Sequence, residues 1–250
     1  MKPTTEHTSI DEWLVNFFAE IDPNQIIPDQ ISYTTADRSR QHKAPDHFLF
    51  DRRILVERKT LKTTEKAIIG RFDKVTLDQG AQFILFGQQS LDAIFRTLDD
   101  PGKAMEAFAK VTVNKLEQRI KEARDKFREH AEATGVIAAC RFVICSEDGG
   151  ASETDGLMYE QHIAKLFMNR SATWDKTGLI DSIIYIRDPA HTLSGGGGHW
   201  FKWVTRKGLP SEKMNDIGSF GHLIIERLWM HFAACGRDVS PFGPVRHGIA

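Results

Sequence analysis

Between Ala44 and Thr60 the chain runs Ala-Pro-Asp-His-Phe-Leu-Phe-Asp-Arg-Arg-Ile-Leu-Val-Glu-Arg-Lys-Thr. Three of these side chains are of types that do chemistry together: Asp46, Glu57 and Lys59. The pattern predicts a short strand from His47 to Phe50, a tight polar turn at Asp51, Arg52 and Arg53, and a second strand from Ile54 to Thr60, joined as a hairpin. Side chains alternate along a strand, so Glu57 and Lys59 share a face with Leu55, and Arg58 points the other way. Hairpin pairing lays the start of the first strand beside the end of the second, which brings Asp46 near Glu57. Two neighbouring carboxylates repel and raise each other's pKa unless a cation sits between them. Mg²⁺ is the natural cation, because it is held by few carboxylates and several waters, and Mn²⁺ is its expected substitute. A lysine beside such an ion orients or deprotonates a water and stabilises charge growing on a phosphate. These are the groups that phosphodiester hydrolysis requires. A surface hairpin with alternating charges would also contain Glu-x-Lys, so the surrounding elements carry the decision.

Those elements are legible in outline. Ile10 to Ile21 has Trp13, Leu14, Phe17, Phe18 and Ile21 at helical spacing, with Ser9 as N-cap, Glu12 as its capping-box partner and Pro23 as the stop. Residues 23–46 read as irregular. Residues 61–102 are the least patterned, with a strand expected over Ala81 to Phe86, a short helix over Ser90 to Leu98 and a break at Asp99-Asp100-Pro101-Gly102. A long helix is expected from Lys103 to Ala133, capped by Gly135. Leu116, Ile120, Ala123, Phe127 and Ala131 form its apolar stripe, and Lys115, Arg119, Glu122 and Lys126 line a polar side. Val136 to Cys145 is apolar on both alternating faces, as in a strand buried on both sides. A helix from about Leu157 to Met168, strands over Ile180 to Ile186 and Trp200 to Thr205, and an apolar helix from Asp216 to Ala234 complete the pattern. The order implies one α/β domain over residues 1–250 with an antiparallel start.

Composition sets bounds. The chain has 250 residues, 41% hydrophobic and 27% charged, with a formal net charge of −1. Bulk charge therefore does not call for nucleic acid, but its distribution is uneven. From Arg38 to Lys74 there are 11 Lys/Arg against 5 Asp/Glu, and from Lys103 to Arg128 there are 8 against 4. Solvated faces explain either segment alone; the two together flank the Asp46–Lys59 hairpin. No apolar run is long enough to span a membrane, and Met1 to Trp13 has no apolar core of a secretory signal. Cys140 and Cys145 should face opposite sides of one strand, and the odd count of three cysteines fits reduced thiols in a cytoplasm.

Pro45-Asp46 followed by Glu57-Arg58-Lys59 resembles the signature of the PD-(D/E)XK, or restriction-endonuclease-like, superfamily, including the Pro and the apolar run before the Glu. The resemblance covers about residues 10–146, with 147–250 as a C-terminal elaboration of strands and a helix. It implies a mixed sheet flanked by helices in the order α-β-β-β-α-β. The hairpin accounts for two of the early strands, and the first of the three is expected within Gln30 to Thr35. It further implies that Asp46 and Glu57 are metal ligands, that Lys59 is the catalytic lysine, and that Arg58 contributes its backbone carbonyl. Family members often add an acid from the first helix; Glu20 is the candidate, at the margin of that helix's apolar stripe. They also often place a polar or basic side chain from the helix after Glu-x-Lys at the site, for which Lys115 and Gln118 are candidates.

The function expected on this basis is an Mg²⁺-dependent endonuclease, of DNA in restriction, phage defence or repair; an RNA-directed nuclease would use the same residues and stays open. Arg38, Arg40, Lys62, Lys66 and Lys115 are the expected nucleic-acid contacts. The alternative is a catalytically silent nucleic-acid-binding or interaction protein on the same fold. Cutting two strands with single-centre subunits calls for a homodimer, for which Ile217, Phe220, Ile224, Leu228 and Phe232 offer a contact; burial in the chain's own core serves them equally well. Other signals are weaker. Gly195 to Gly198 lack the following Gly-Lys-Ser/Thr of a phosphate loop, and the flanking His191 and His199 read as loop histidines. Asp148, Glu153 and Asp155 lack calcium-loop spacing. Trp200, Phe201 and Trp203 read as packing residues before base-stacking ones.

Overall fold

The computed structural model describes residues 9–26, 44–61, 65–78, 94–135, 139–147, 162–163, 165, 179–188, 200–237, 239 and 248–249. They form an α/β fold around one mixed sheet. The elements are α1 (Ile10–Ile21), β1 (His47–Leu49), β2 (Ile54–Leu61), α2 (Glu65–Leu77), α3 (Pro101–Thr134), β3 (Cys140–Glu147), β4 (Ser182–Arg187), β5 (Phe201–Thr205), α4 (Ser211–Ala234) and β6 (Gly248–Ile249). The sheet order is β1-β2-β3-β4-β5-β6. β1 and β2 are antiparallel, β2, β3 and β4 run parallel, β5 is antiparallel to β4, and β6 is parallel to β5.

Strand alternation divides the core into two layers. Ile54 and Val56 of β2, Phe142 and Ile144 of β3, and Ile184 and Ile186 of β4 face α1 and α4. Leu55 and Leu61, Val143 and Cys145, and Ile183 and Tyr185 face α3 through its stripe of Leu116, Ile120, Ala123 and Phe127. The central strands are apolar on both sides because a helical layer covers each side. Ile217, Phe220, Ile224, Leu228 and Phe232 of α4 are buried in the first layer, so the chain's own core uses the stripe that was also a dimer candidate. Trp200, Phe201 and Trp203 pack against that same layer. Gly221 of α4 lies under the ring of Trp203, whose carbons would come within 2.5 Å of an added Cβ.

Local signals explain several element ends. Ser9 Oγ accepts from the Glu12 amide at 3.1 Å and starts α1. Gly135, at φ 71°, ends α3 in the left-handed conformation that glycine adopts without steric cost. The hairpin turn is tighter than its sequence suggests: Phe50, Asp51 and Arg52 have φ of 52°, 55° and 65°, three consecutive left-handed residues without a glycine. Asp22, at the end of α1, secures this turn by accepting the Phe50 amide at 2.6 Å.

Three expectations are corrected. Asp99 to Gly102 is not simply a break: Asp100 Oδ1 accepts from the Lys103 amide at 3.0 Å and Pro101 occupies the first turn, so α3 begins there. α2 has no counterpart in the sequence reading. Gly70 sits mid-helix, and Phe72 and Val75 pack against Phe95, Ala104 and Phe108 off the sheet, so no long stripe announces the helix. α4 starts at Ser211 rather than Asp216. Of the expected helix over residues 90–98, the described part has one helical turn at Ile94 and Phe95. The expected strands at 30–35 and 81–86 lie outside the described residues, and the 157–168 helix is described only at His162, Ile163 and Lys165, which are helical. Ile26 forms an isolated bridge to Phe48. Among the described residues no helix is long and apolar enough to cross a membrane.

Candidate active site

The register His47↔Val56 sets Asp46 beside Glu57, one residue beyond the β1–β2 ladder. Asp46 Oδ2 accepts from the Arg58 amide at 2.8 Å, so its side chain replaces the backbone partner that β1 no longer supplies. Glu57 and Lys59 fall on the face covered by α3, and Arg58 on the face of α1, where it pairs with Asp11 at 2.7 Å. The side-chain contacts then form a chain of alternating charge. Lys126 Nζ lies 3.0 Å from Asp46 Oδ1 and 2.7 Å from Glu57 Oε1. Lys59 Nζ lies 2.8 Å from the same Glu57 Oε1 and 3.7 Å from Glu122 Oε2. Arg119 closes the far end on Glu122 at 3.0 Å. The three residues singled out in the sequence are thus brought together, with Lys126 and Glu122 of α3 added to them.

Glu57 is fully buried, whereas Asp46 and Lys126 keep 29% and 23% of their side chains exposed, so solvent reaches the pair from the β1 side. Both ammoniums crowd Glu57 Oε1, and Oε2 has no hydrogen-bond donor among the described residues. Burial, then the Asp46 charge, pushes the Glu57 carboxyl above the ordinary glutamate range; Lys59 and Lys126 only partly offset this. Burial alone would lower Lys126, but its contacts with Glu57 and Asp46 prevail and raise it. The two shifts describe a buried Glu57 whose desolvation outweighs its two ammonium neighbours, and a Lys126 held charged by the two acids.

Among the described residues no group of three or more His, Cys, Asp and Glu side chains converges as a metal cage. A pair is nevertheless the donor set that Mg²⁺ takes, since it retains several waters and uses one or two carboxylates. The donorless Glu57 Oε2 beside Asp46 fits that ion. Thiol chemistry has little room here, because burial raises Cys140 to about 11 and Cys145 to about 12, and both remain protonated. They face opposite layers of the sheet and are free thiols.

Other candidates lie elsewhere. Glu20 is 62% exposed and meets Arg227 of α4 at 3.5 Å. It belongs to the helical layer on the opposite face of the sheet from Glu57, and the structure does not bring it to the pair. Gln118 stands behind the site, donating to Glu122 Oε1 at 3.3 Å. Lys115 is exposed on the same stripe of α3, eleven residues before Lys126, or about 16 Å along the axis. Lys66 lies on α2, with only its backbone described, and Arg38, Arg40 and Lys62 lie outside the described residues, as do the glycine run, His191, His199 and the 148–155 acids.

Lys126 was missed although it lay on the polar stripe already identified. The signal was the stripe itself, Lys115, Arg119, Glu122 and Lys126. What the stripe lacks is the point at which a 34-residue helix crosses β2. The chain matches no family model, no curated protein and no solved structure.

Proposed function

We propose that this protein is an Mg²⁺-dependent endonuclease that hydrolyses phosphodiester bonds of DNA, built on a restriction-endonuclease-like sheet. The observation that carries the reading is the buried Glu57 carboxylate beside Asp46, with one oxygen short of a donor and Lys59 at 2.8 Å from the other. The order helix, hairpin, two helices, parallel strand is compatible with it, and Glu57 and Lys59 lie under α3. Asp46 and Glu57 would hold the ion. Bound there, Mg²⁺ supplies Lewis acidity to a phosphate oxygen and to water. Asp46 reaches solvent and marks the side from which a phosphate approaches. Lys59 is held between Glu57 and Glu122, so its ammonium is positioned in advance to stabilise negative charge on that phosphate.

The test is incubation of the purified protein with plasmid, linear duplex DNA and RNA in Mg²⁺, Mn²⁺ or EDTA. DNA cleavage that EDTA stops, and that Asp46→Ala, Glu57→Ala and Lys59→Ala each reduce by about 10³-fold or more while the fold is kept, is the expected result. Full cleavage by folded Glu57→Ala overturns the assignment. One observation favours a second reading, a nucleic-acid-binding protein without turnover: Lys126 already bridges the two carboxylates. That reading expects DNA binding unchanged by EDTA, and no cleavage with either ion.

A further inference from the structure

The two carboxylates of the candidate site already share a cation, and it belongs to the chain. Lys126 Nζ contacts Asp46 Oδ1 at 3.0 Å and Glu57 Oε1 at 2.7 Å. A divalent ion held by Asp46 and Glu57 would lie beside that ammonium, because the same two carboxylates would hold both. An ammonium and a divalent ion side by side repel strongly in a partly buried setting. We propose that Lys126 is a built-in competitor of the divalent ion: ion binding displaces its ammonium from Asp46 and Glu57, and the displaced ammonium takes a phosphate of the nucleic acid. This rests on the metal-dependent reading above.

The two lysines of the site differ in the way this requires. Lys59 is only 12% exposed and is flanked by two acids, Glu57 and Glu122, so it stays where it is when the ion arrives. Lys126 is 23% exposed on a flexible four-carbon stem, and both its acid partners are the ion's ligands. Its release leaves Glu57 with Lys59 as a partner and frees one positive charge at the solvent side. Ion and nucleic acid then favour the same state of Lys126, and each must tighten the binding of the other by the same factor.

Calorimetric titration of Mn²⁺ into wild-type, Lys126→Met and Glu57→Gln proteins tests this without turnover. Lys126→Met should bind Mn²⁺ about ten-fold tighter than wild type, within the usual range of a coupling between sites. A short duplex with non-cleavable phosphorothioate linkages should tighten Mn²⁺ binding by wild type and do so much less in Lys126→Met. Should Lys126→Met fail to melt cooperatively, Lys126→Gln keeps a polar head without the charge and is read the same way. Equal or weaker Mn²⁺ affinity in the folded variant, with binding still abolished by Glu57→Gln, overturns the competitor role and leaves the metal-dependent reading standing. No Mn²⁺ binding by any of the proteins overturns both.

Discussion

Among the described residues, the lysine–carboxylate contacts at Asp181 and at Glu57 both lie against this sheet, and they differ in kind. At the start of β4, Asp181 is 1% exposed, and its Oδ2 accepts from Lys213 Nζ at 2.8 Å and from the Arg141 amide at 3.0 Å. Its own amide donates to the Arg141 carbonyl at 3.1 Å, so the residue locks β4 against β3. One acid meets one ammonium and one backbone donor, and the arrangement is complete. At Glu57 two acids crowd together, two ammoniums approach one oxygen, and the other oxygen lacks a donor among the described residues. Asp181 illustrates an ion pair that organises a fold. Glu57 illustrates a buried charge whose surroundings favour its neutral form, which is the condition in which an added cation gains most.

The largest effect that would sharpen this contrast is at Asp181. Asp181→Ala leaves Lys213 and the Arg141 amide without their acceptor and should cost about 3–5 kcal/mol by urea unfolding. Mn²⁺ affinity per folded molecule, measured by calorimetry, should be that of the wild type. A loss below about 1 kcal/mol would remove the distinction between the regions.

Acid should come next, and it should act on the side of the candidate site. His47, next to Asp46, is held down to about 4, first by burial and then by Arg58; His130, stacked on Phe48, is held to about 4 by burial, then by Arg52 and Arg141. Both are neutral in the fold and gain protons on unfolding. Their stabilisation is therefore full above pH 6.5 and is lost as pH falls from 6.5 towards 4. At pH 5.5 the loss should be about 1.4 kcal/mol for each. Urea melts of wild type and a folded His47→Asn, His130→Phe double variant from pH 7.5 to 5 check this, since the variant's slope should be shallower. Parallel slopes would contradict it.

The smallest effect has a sign that matters more than its size. A raised Glu57 carboxyl disfavours folding once the unfolded chain ionises, so the Glu57 contribution to stability should fall as pH rises from the usual glutamate value near 4.5 towards the raised one, against the histidine contribution. Glu57→Gln lacks that term, and in EDTA its stability relative to wild type should improve with pH over this window. Divalent ion should restore the wild type and not the variant. A relative gain on acidification would mean that Lys59 and Lys126 fully satisfy Glu57, as Lys213 satisfies Asp181.

The sequence by itself determined the features that depend on neighbours along the chain. The caps at Ser9 and Gly135, the hairpin from His47, the shared face of Glu57 and Lys59, the doubly buried β3 and the apolar stripe of α3 are all local patterns with fixed periods. Asp46 beside Glu57 was legible for the same reason, because a hairpin with a short turn admits few registers. What the local pattern did not contain was decided by packing between distant elements. α2 has a short apolar face because it covers only the start of α3 and part of 94–98, so its pattern was too brief to read. Glu20 stood at the margin of the apolar stripe of α1, which left it a candidate ligand, yet α1 packs on the opposite side of the sheet from the Glu57 carboxylate. Lys115 and Lys126 are equivalent in helical phase; the crossing of α3 over β2 puts Lys126 between the two acids and leaves Lys115 about three turns away. A helix repeats its phase every few residues, so the sequence gives the stripe, and only the tertiary crossing selects the turn that meets the site.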